Sequence, residues 1–173
     1  MLAILIPGLI LVALMVYAST RIKKTAAAAF DAETVETEDF IIQKPEGFLN
    51  KLNRDETFAF EAYSKEFGVD EATDFRQGSI NLTIRSQETV DDIVAEIKAD
   101  DVAITEDLTE VIGLRRYRVI DATRVVKDIE FNVAYKLAEK DGNVYKLEAV
   151  RLAETSDEFS RKLDLMVASF ELK

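Results

Sequence analysis

Residues Leu2 to Ala18 read LAILIPGLILVALMVYA, an uninterrupted apolar stretch without a charge at the very start of the numbering. As a helix rising ~1.5 Å per residue it would measure about 25 Å. That is slightly less than a hydrocarbon core of about 30 Å, and Ser19, Thr20 and the aliphatic stem of Arg21 extend it. A helix apolar on every side cannot serve as the one-sided helix of a small soluble core, so residues 1–20 are expected to form a transmembrane anchor. Pro7 and Gly8 sit near its start, where a missing amide donor costs least, and imply only a kink. The competing account is a cleaved signal peptide. Val16, Tyr17 and Ala18 resemble a cleavage site, but the basic segment that should precede the apolar run is missing.

Arg21, Lys23 and Lys24 follow the span, so the positive-inside rule places the N-terminus outside and the following domain in the cytoplasm. The opposite orientation, with an extracytoplasmic domain, is the alternative. Residues 21–38 read as a basic stop followed by an acidic linker, and residues 39–173 as one globular domain.

Charge and composition narrow the function. Residues 25–173 hold 19 basic and 33 acidic residues, a balance of −14. Such a domain repels phosphate backbones, so no nucleic-acid partner is expected. The chain has no Cys and no His. It therefore lacks the usual thiol nucleophile, the usual neutral-pH base and the commonest transition-metal ligands, and no cofactor is expected.

Periodicity supplies the elements. Asp39 to Gln43 reads as a strand closed by the Lys44-Pro45-Glu46-Gly47 turn, followed by a short irregular or helical piece at Phe48 and Leu49. Thr57 to Tyr63 and Ser79 to Ser86 read as strands, the second alternating Ile80, Leu82 and Ile84 with polar residues. Thr89 precedes Val90, Ile93, Val94 and Ile97 at helical spacing, with Asp91 and Asp92 in the first turn. After a weaker stretch from Val102 to Ile112, three strands are expected at Leu114–Val126, Asp128–Glu139 and Asn143–Glu154, the last two joined by an Asp141-Gly142 hairpin turn. A closing helix is predicted from a Thr155/Glu158 capping box, with Phe159, Leu163, Met166, Val167 and Phe170 inward and a last short strand at Phe170–Leu172. The fold class is thus α+β: a transmembrane helix, then one sandwich domain with a mostly antiparallel sheet.

This order, together with the early FIIQKPEGF, the hairpin DGNVYKLEAVRLA and the terminal KLDLMVASFEL, resembles the PsbP-type α/β/α domain. That family includes an extrinsic photosystem subunit, a nuclear-import factor that binds a small GTPase, and bacterial envelope homologues. The resemblance spans Asp39 to Lys173 and implies a protein that acts by binding, with no catalytic residue to carry across.

Arg115, Arg116, Tyr117, Arg118, Arg124 and Lys127 form the single basic concentration of the acidic domain. They suggest a contact patch for an acidic protein partner or a phosphate group, and the plainer account is cross-strand pairing with the domain's many acids. On a strand, Arg116 and Arg118 share one face and Arg115 and Tyr117 the other. Asp70, Glu71 and Asp74 lack the regular spacing of a calcium loop. Asp91/Asp92 and Asp100/Asp101 diverge by about 100° on a helix and do not share a site. Asn81-Leu82-Thr83 matches a glycosylation acceptor but lies on the outer face of a strand. The expected function is a non-enzymatic, membrane-tethered binding or assembly module of unidentified protein partner. A His/Cys-free enzyme or small-ligand carrier built on carboxylates, or a secreted domain freed by signal cleavage, are the alternatives.

Overall fold

The computed structural model describes residues 15–17, 19, 28–51, 57–68, 74–100 and 102–173. The expected anchor falls almost wholly outside them. Residues 15–17 and 19 are helical and exposed, and among the described residues no helix is long and apolar enough to cross a membrane.

Among the described residues, ten strands follow in chain order: β1 (Glu33–Glu36), β2 (Phe40–Lys44), β3 (Phe48–Asn50), β4 (Phe58–Ser64), β5 (Gly78–Ser86), β6 (Val102–Ile112), β7 (Arg115–Val126), β8 (Ile129–Lys140), β9 (Asn143–Leu152) and β10 (Glu171–Leu172). Two helices, α1 (Val90–Ala99) and α2 (Asp157–Ala168), interrupt them. A seven-stranded antiparallel sheet has the order β3-β4-β5-β9-β8-β7-β6, and a small sheet has the order β1-β2-β10.

Alternation along the strands gives the large sheet two apolar faces. On one, Phe60, Ile80, Leu82, Tyr117, Tyr145 and Leu147 join a core with Leu163, Met166 and Val167 of α2 and with Phe40 and Ile42 of the small sheet. On the other, Ile93, Val94 and Ile97 of α1 pack on Ile120, Ala122, Val133, Tyr135, Leu137 and Val144. Full burial of Ile93 and Ile97 stabilises the fold by roughly 1.5–3 kcal/mol each and explains why a 10-residue helix, too short to persist alone, holds here. The result is an α/β/α sandwich.

Local chemistry sets the boundaries. Thr89 caps α1 by accepting from the Asp92 amide at 3.2 Å while Asp92 returns a bond to the Thr89 amide at 2.9 Å. The β8–β9 turn carries positive φ at both Asp141 (53°) and Gly142 (74°), as the expected hairpin requires.

Four details differ from the sequence expectation. The segment Phe48–Asn50 pairs with β4 as a strand instead of forming a helical piece. The meander has four strands, because the weak stretch Val102–Ile112 pairs with β7 along its length. The cap of α2 is Ser156, whose hydroxyl accepts from the Phe159 amide at 3.3 Å; Thr155 instead turns back to donate to the Leu152 carbonyl at 3.0 Å. Finally, Glu33–Glu36, inside the acidic segment read as linker, forms the edge of the small sheet, because Val35 packs on the core and its backbone pairs with Ile42.

Two lysines are almost fully buried. Lys44 extends the Phe40/Ile42 face of β2 and donates to the carbonyls of Asp31 and, at 2.7 Å, Phe48, which fastens the start of the domain to the β2–β3 turn. Gly47 adds a backbone bond to the Phe30 carbonyl at 2.8 Å. Lys136 donates to the carbonyls of Val167 and Ala168 at 3.3 and 3.1 Å. Burial pushes both ammonium groups below the usual lysine range, against the opposite pull of nearby carboxylates.

Candidate partner-binding surface

The basic concentration is distributed over both faces of β7. Tyr117 points into the core: it is 1% exposed, its hydroxyl accepts from the Leu172 amide at 2.9 Å, and its ring meets Phe170 edge-on with centroids 6.3 Å apart. That location removes Tyr117 from any contact surface. Arg115 shares its face and donates to the backbone oxygen of Lys173.

On the opposite face, Arg118 is tied to Asp107, whose carboxyl is held below its usual range by that hydrogen bond, burial opposing, with Lys98 also 3.6 Å away. Arg124 reaches Glu148 at 3.8 Å, and its buried Nε has no hydrogen-bond partner among the described residues. Lys127 stands in the β7–β8 turn with its ammonium 5.9 Å from the Phe75 ring centre. Cross-strand pairing thus absorbs Arg118 and Arg124.

Arg116 differs. It is exposed, lies opposite Val111 in the β6–β7 register, and has no hydrogen bond or ion pair among the described residues. Val111 is 66% exposed, and Leu114, at the two-residue turn beside Gly113 (φ 63°), is exposed completely. The stretch from Val111 to Arg118 contains three arginines and no acid. Its neighbour β6 is the outer strand of the large sheet, but Glu106, Asp107, Glu110 and a register shift between Ile104 and Glu106 discourage addition of a further strand there. The hairpin end, apolar and basic, is the accessible part. Sequence reading found the arginines but not the apolar tip, because a single Leu beside a Gly carries no periodicity.

Concave regions lie elsewhere among the described residues. A cleft of about 540 Å³ opens between Phe30, Phe48, Lys65 and the first turn of α2, with Phe48 and Phe159 stacked at 5.5 Å at its edge. A smaller one of about 340 Å³ is lined by Thr105, Asp121, Asn132, Arg151 and Asp164. There Arg151 is bonded to Asp164, while burial, then the neighbouring charge of Glu106, pushes the Asp121 carboxyl above its usual range. Sequence reading missed this group, since its members come from five separated segments.

The remaining sequence candidates are placed as follows. Asp92 caps α1, Asp91 lies in the same first turn and Asp100 ends the helix, so none forms a paired site. Asn81 lies within β5 opposite Glu148 and Glu61. Asp70, Glu71 and Asp101 lie outside the described residues, and among those described no group of three or more acids is placed to hold a metal ion.

No family model and no curated protein matches the chain. Solved structures do. The cyanobacterial PsbP (CyanoP) from Synechocystis superposes with a TM-score of 0.57 at 10% identity, over 84% of this chain and 94% of that one. LpqN, described as involved in cell envelope biogenesis of Mycobacterium tuberculosis, gives 0.58 at 10% identity over 83% and 91%. The Ran-binding protein Mog1p of Saccharomyces cerevisiae gives 0.53 at 11% identity over 83% and 96%.

Proposed function

On the footing that the domain is of the PsbP type, we propose that the protein is a non-enzymatic binding or assembly module for another protein, tethered to a membrane by residues 2–20 with its domain in the cytoplasm. The observation that carries the binding reading is the β6–β7 hairpin end, where Arg116 has no hydrogen bond or ion pair among the described residues and Val111 and Leu114 are exposed. A solvated apolar tip flanked by free positive charge is held at a cost in solubility that a docking role explains. The Ran-binding and photosystem names of two fold neighbours support the same class of function. Tethering rests on the uncharged run Leu2–Ala18, and orientation on Arg21, Lys23 and Lys24.

Extraction of the full chain in mild detergent tests the binding reading. The protein is expected to migrate with a stoichiometric partner in an assembly larger than a lone chain in a micelle. Migration as a lone chain from its native membrane contradicts it.

One observation favours a second reading, a small-ligand site worked by carboxylates. Asp121 has its carboxyl raised while Asp164 beside it is held by Arg151, a separation of environments that acid–base sites use. Loss of a bound metabolite from the purified full chain on Asp121→Asn would establish it; a chain that carries none, before and after the change, rejects it.

A further inference from the structure

The chain enters the domain at Phe30 and Asp31, which are fastened to Gly47 and Lys44 at one end of the sandwich. The β6–β7 tip lies at the other end. Arg115 meets Lys173, whose amide bonds to the Asp39 carbonyl, whereas Lys44, four residues along β2, marks the end where the chain enters. The 12-residue β7 sets the two ends about 40 Å apart at ~3.3 Å per residue. Residues 21–27 stand between the expected anchor and the first described residues of the domain, and seven residues reach at most about 25 Å.

Resting on the binding-module reading, we propose that the β6–β7 tip points away from the membrane and seats Leu114 in an apolar pocket of a protein partner whose rim is acidic. Three features fix that occupant. The tip stands at the opposite end of the domain from Phe30 and Asp31, which favours a protein over a bilayer as its occupant. Arg116 and the lack of acids between Val111 and Arg118 call for negative charge in the partner. A second copy of this domain is disfavoured where tip would meet tip, since that sets Arg115 and Arg116 beside the same residues, and it stands as an outcome of the test. Leu114 makes the central apolar contact and Arg116 the charged one, the usual division of an interface into a desolvated anchor and a polar margin.

The test uses the full-length chain in its own membrane, with a photo-crosslinking phenylalanine analogue at position 114 and, as control, at position 141 in the neighbouring β8–β9 tip. Leu114 is fully exposed, so replacing it leaves the core untouched. The expected result is one discrete protein adduct from position 114 and none from 141. Purified, that protein should bind the full chain in detergent and lose about tenfold or more in affinity to either Leu114→Ser or Arg116→Glu. Arg116→Lys should retain most of the binding, and added salt should weaken it. A lipid adduct, an adduct to a second copy, no adduct, or wild-type affinity in both variants overturns the proposal. An adduct from 141 alone overturns the tip while leaving the binding-module reading intact. A chain that migrates alone in mild detergent removes both.

Discussion

The ammonium of Lys136 donates to the carbonyl of Ala168 at 3.1 Å, so a cation reaches the C-terminus of α2 from the sheet, where the last turn of the helix has no basic residue of its own. The helix end is thereby satisfied both as a set of orphan carbonyls and as the negative pole of a dipole. Its ammonium also lies 4.8 Å from the ring centre of Tyr117, which links the helix end to the core strand.

Lys136→Met removes that donor while keeping the bulk of the side chain. The Ala168 carbonyl loses a charged donor and the Val167 carbonyl is left with the Phe170 amide, and we expect a loss of about 1–3 kcal/mol in chemical denaturation at neutral pH. The loss is not constant with pH. Because the folded ammonium titrates below the unfolded value of 10.5, the unfolded state binds more protons between the two, and the Lys136 contribution to stability rises with pH across that interval. The difference between wild type and Lys136→Met should therefore widen toward pH 10.5. A difference that narrows would contradict the burial assigned to this group.

Gly78 is needed for space. A Cβ there would stand 2.9 Å from the ring of Phe159 and 3.3 Å from the Val150 carbonyl, at an ordinary backbone conformation. Gly78→Ala should cost about 1–3 kcal/mol through displacement of the first turn of α2. Combining it with Phe159→Leu should recover part of that loss, a coupling that a double-mutant cycle in urea measures.

Asp121 is destabilising as a carboxylate. Its folded proton affinity is raised by burial, with Glu106 next in effect, so the folded state binds the proton more tightly than the unfolded one. Stability contributed by that proton is present below the unfolded value of 3.8 and is lost as pH rises through the raised folded value. Asp121→Asn should thus melt higher than wild type at pH 7 and show no advantage below pH 3.8. Thermal scans across that range decide it.

Arg118 and Asp107 form a pair that is partly exposed, with side chains 37% and 20% accessible. A double-mutant cycle should give under about 1 kcal/mol, falling with salt. Arg118→Ala should leave partner affinity within about twofold, in contrast to Arg116→Glu, because its charge is already spent on Asp107. Equal losses from both substitutions would show that the whole face of β7 takes part.

Much of this architecture was legible in the sequence where periodicity is strong. Ile80, Leu82 and Ile84 announced β5, Val90 to Ile97 announced α1, and Asp141-Gly142 announced the hairpin, since each rests on local geometry that tertiary packing reinforces. Elements whose stability is tertiary were harder. Val102–Ile112 holds as a strand through pairing with Arg115–Arg124 of β7, and Glu33–Glu36 through pairing with β2. The two buried lysines sat at inward positions of β2 and β8, but a lysine in an apolar alternation usually marks an edge or a bend. Its carbonyl partners come from 4 to 32 residues away. The basic strand was visible as composition; which arginine remains unpaired depends on Asp107 and Glu148 lying across from Arg118 and Arg124, a matter of register.

Residues 2–20 are the proposed tether, and alkaline extraction tests them directly. Membranes from cells expressing the full chain, washed at alkaline pH, should retain it at the mass of all 173 residues, while a variant lacking residues 2–20 should appear in the soluble fraction with the same melting temperature. Recovery of the full chain in the soluble fraction, or of a mature chain shortened to begin near Ser19, would contradict a membrane-held module and leave a free binding domain in its place.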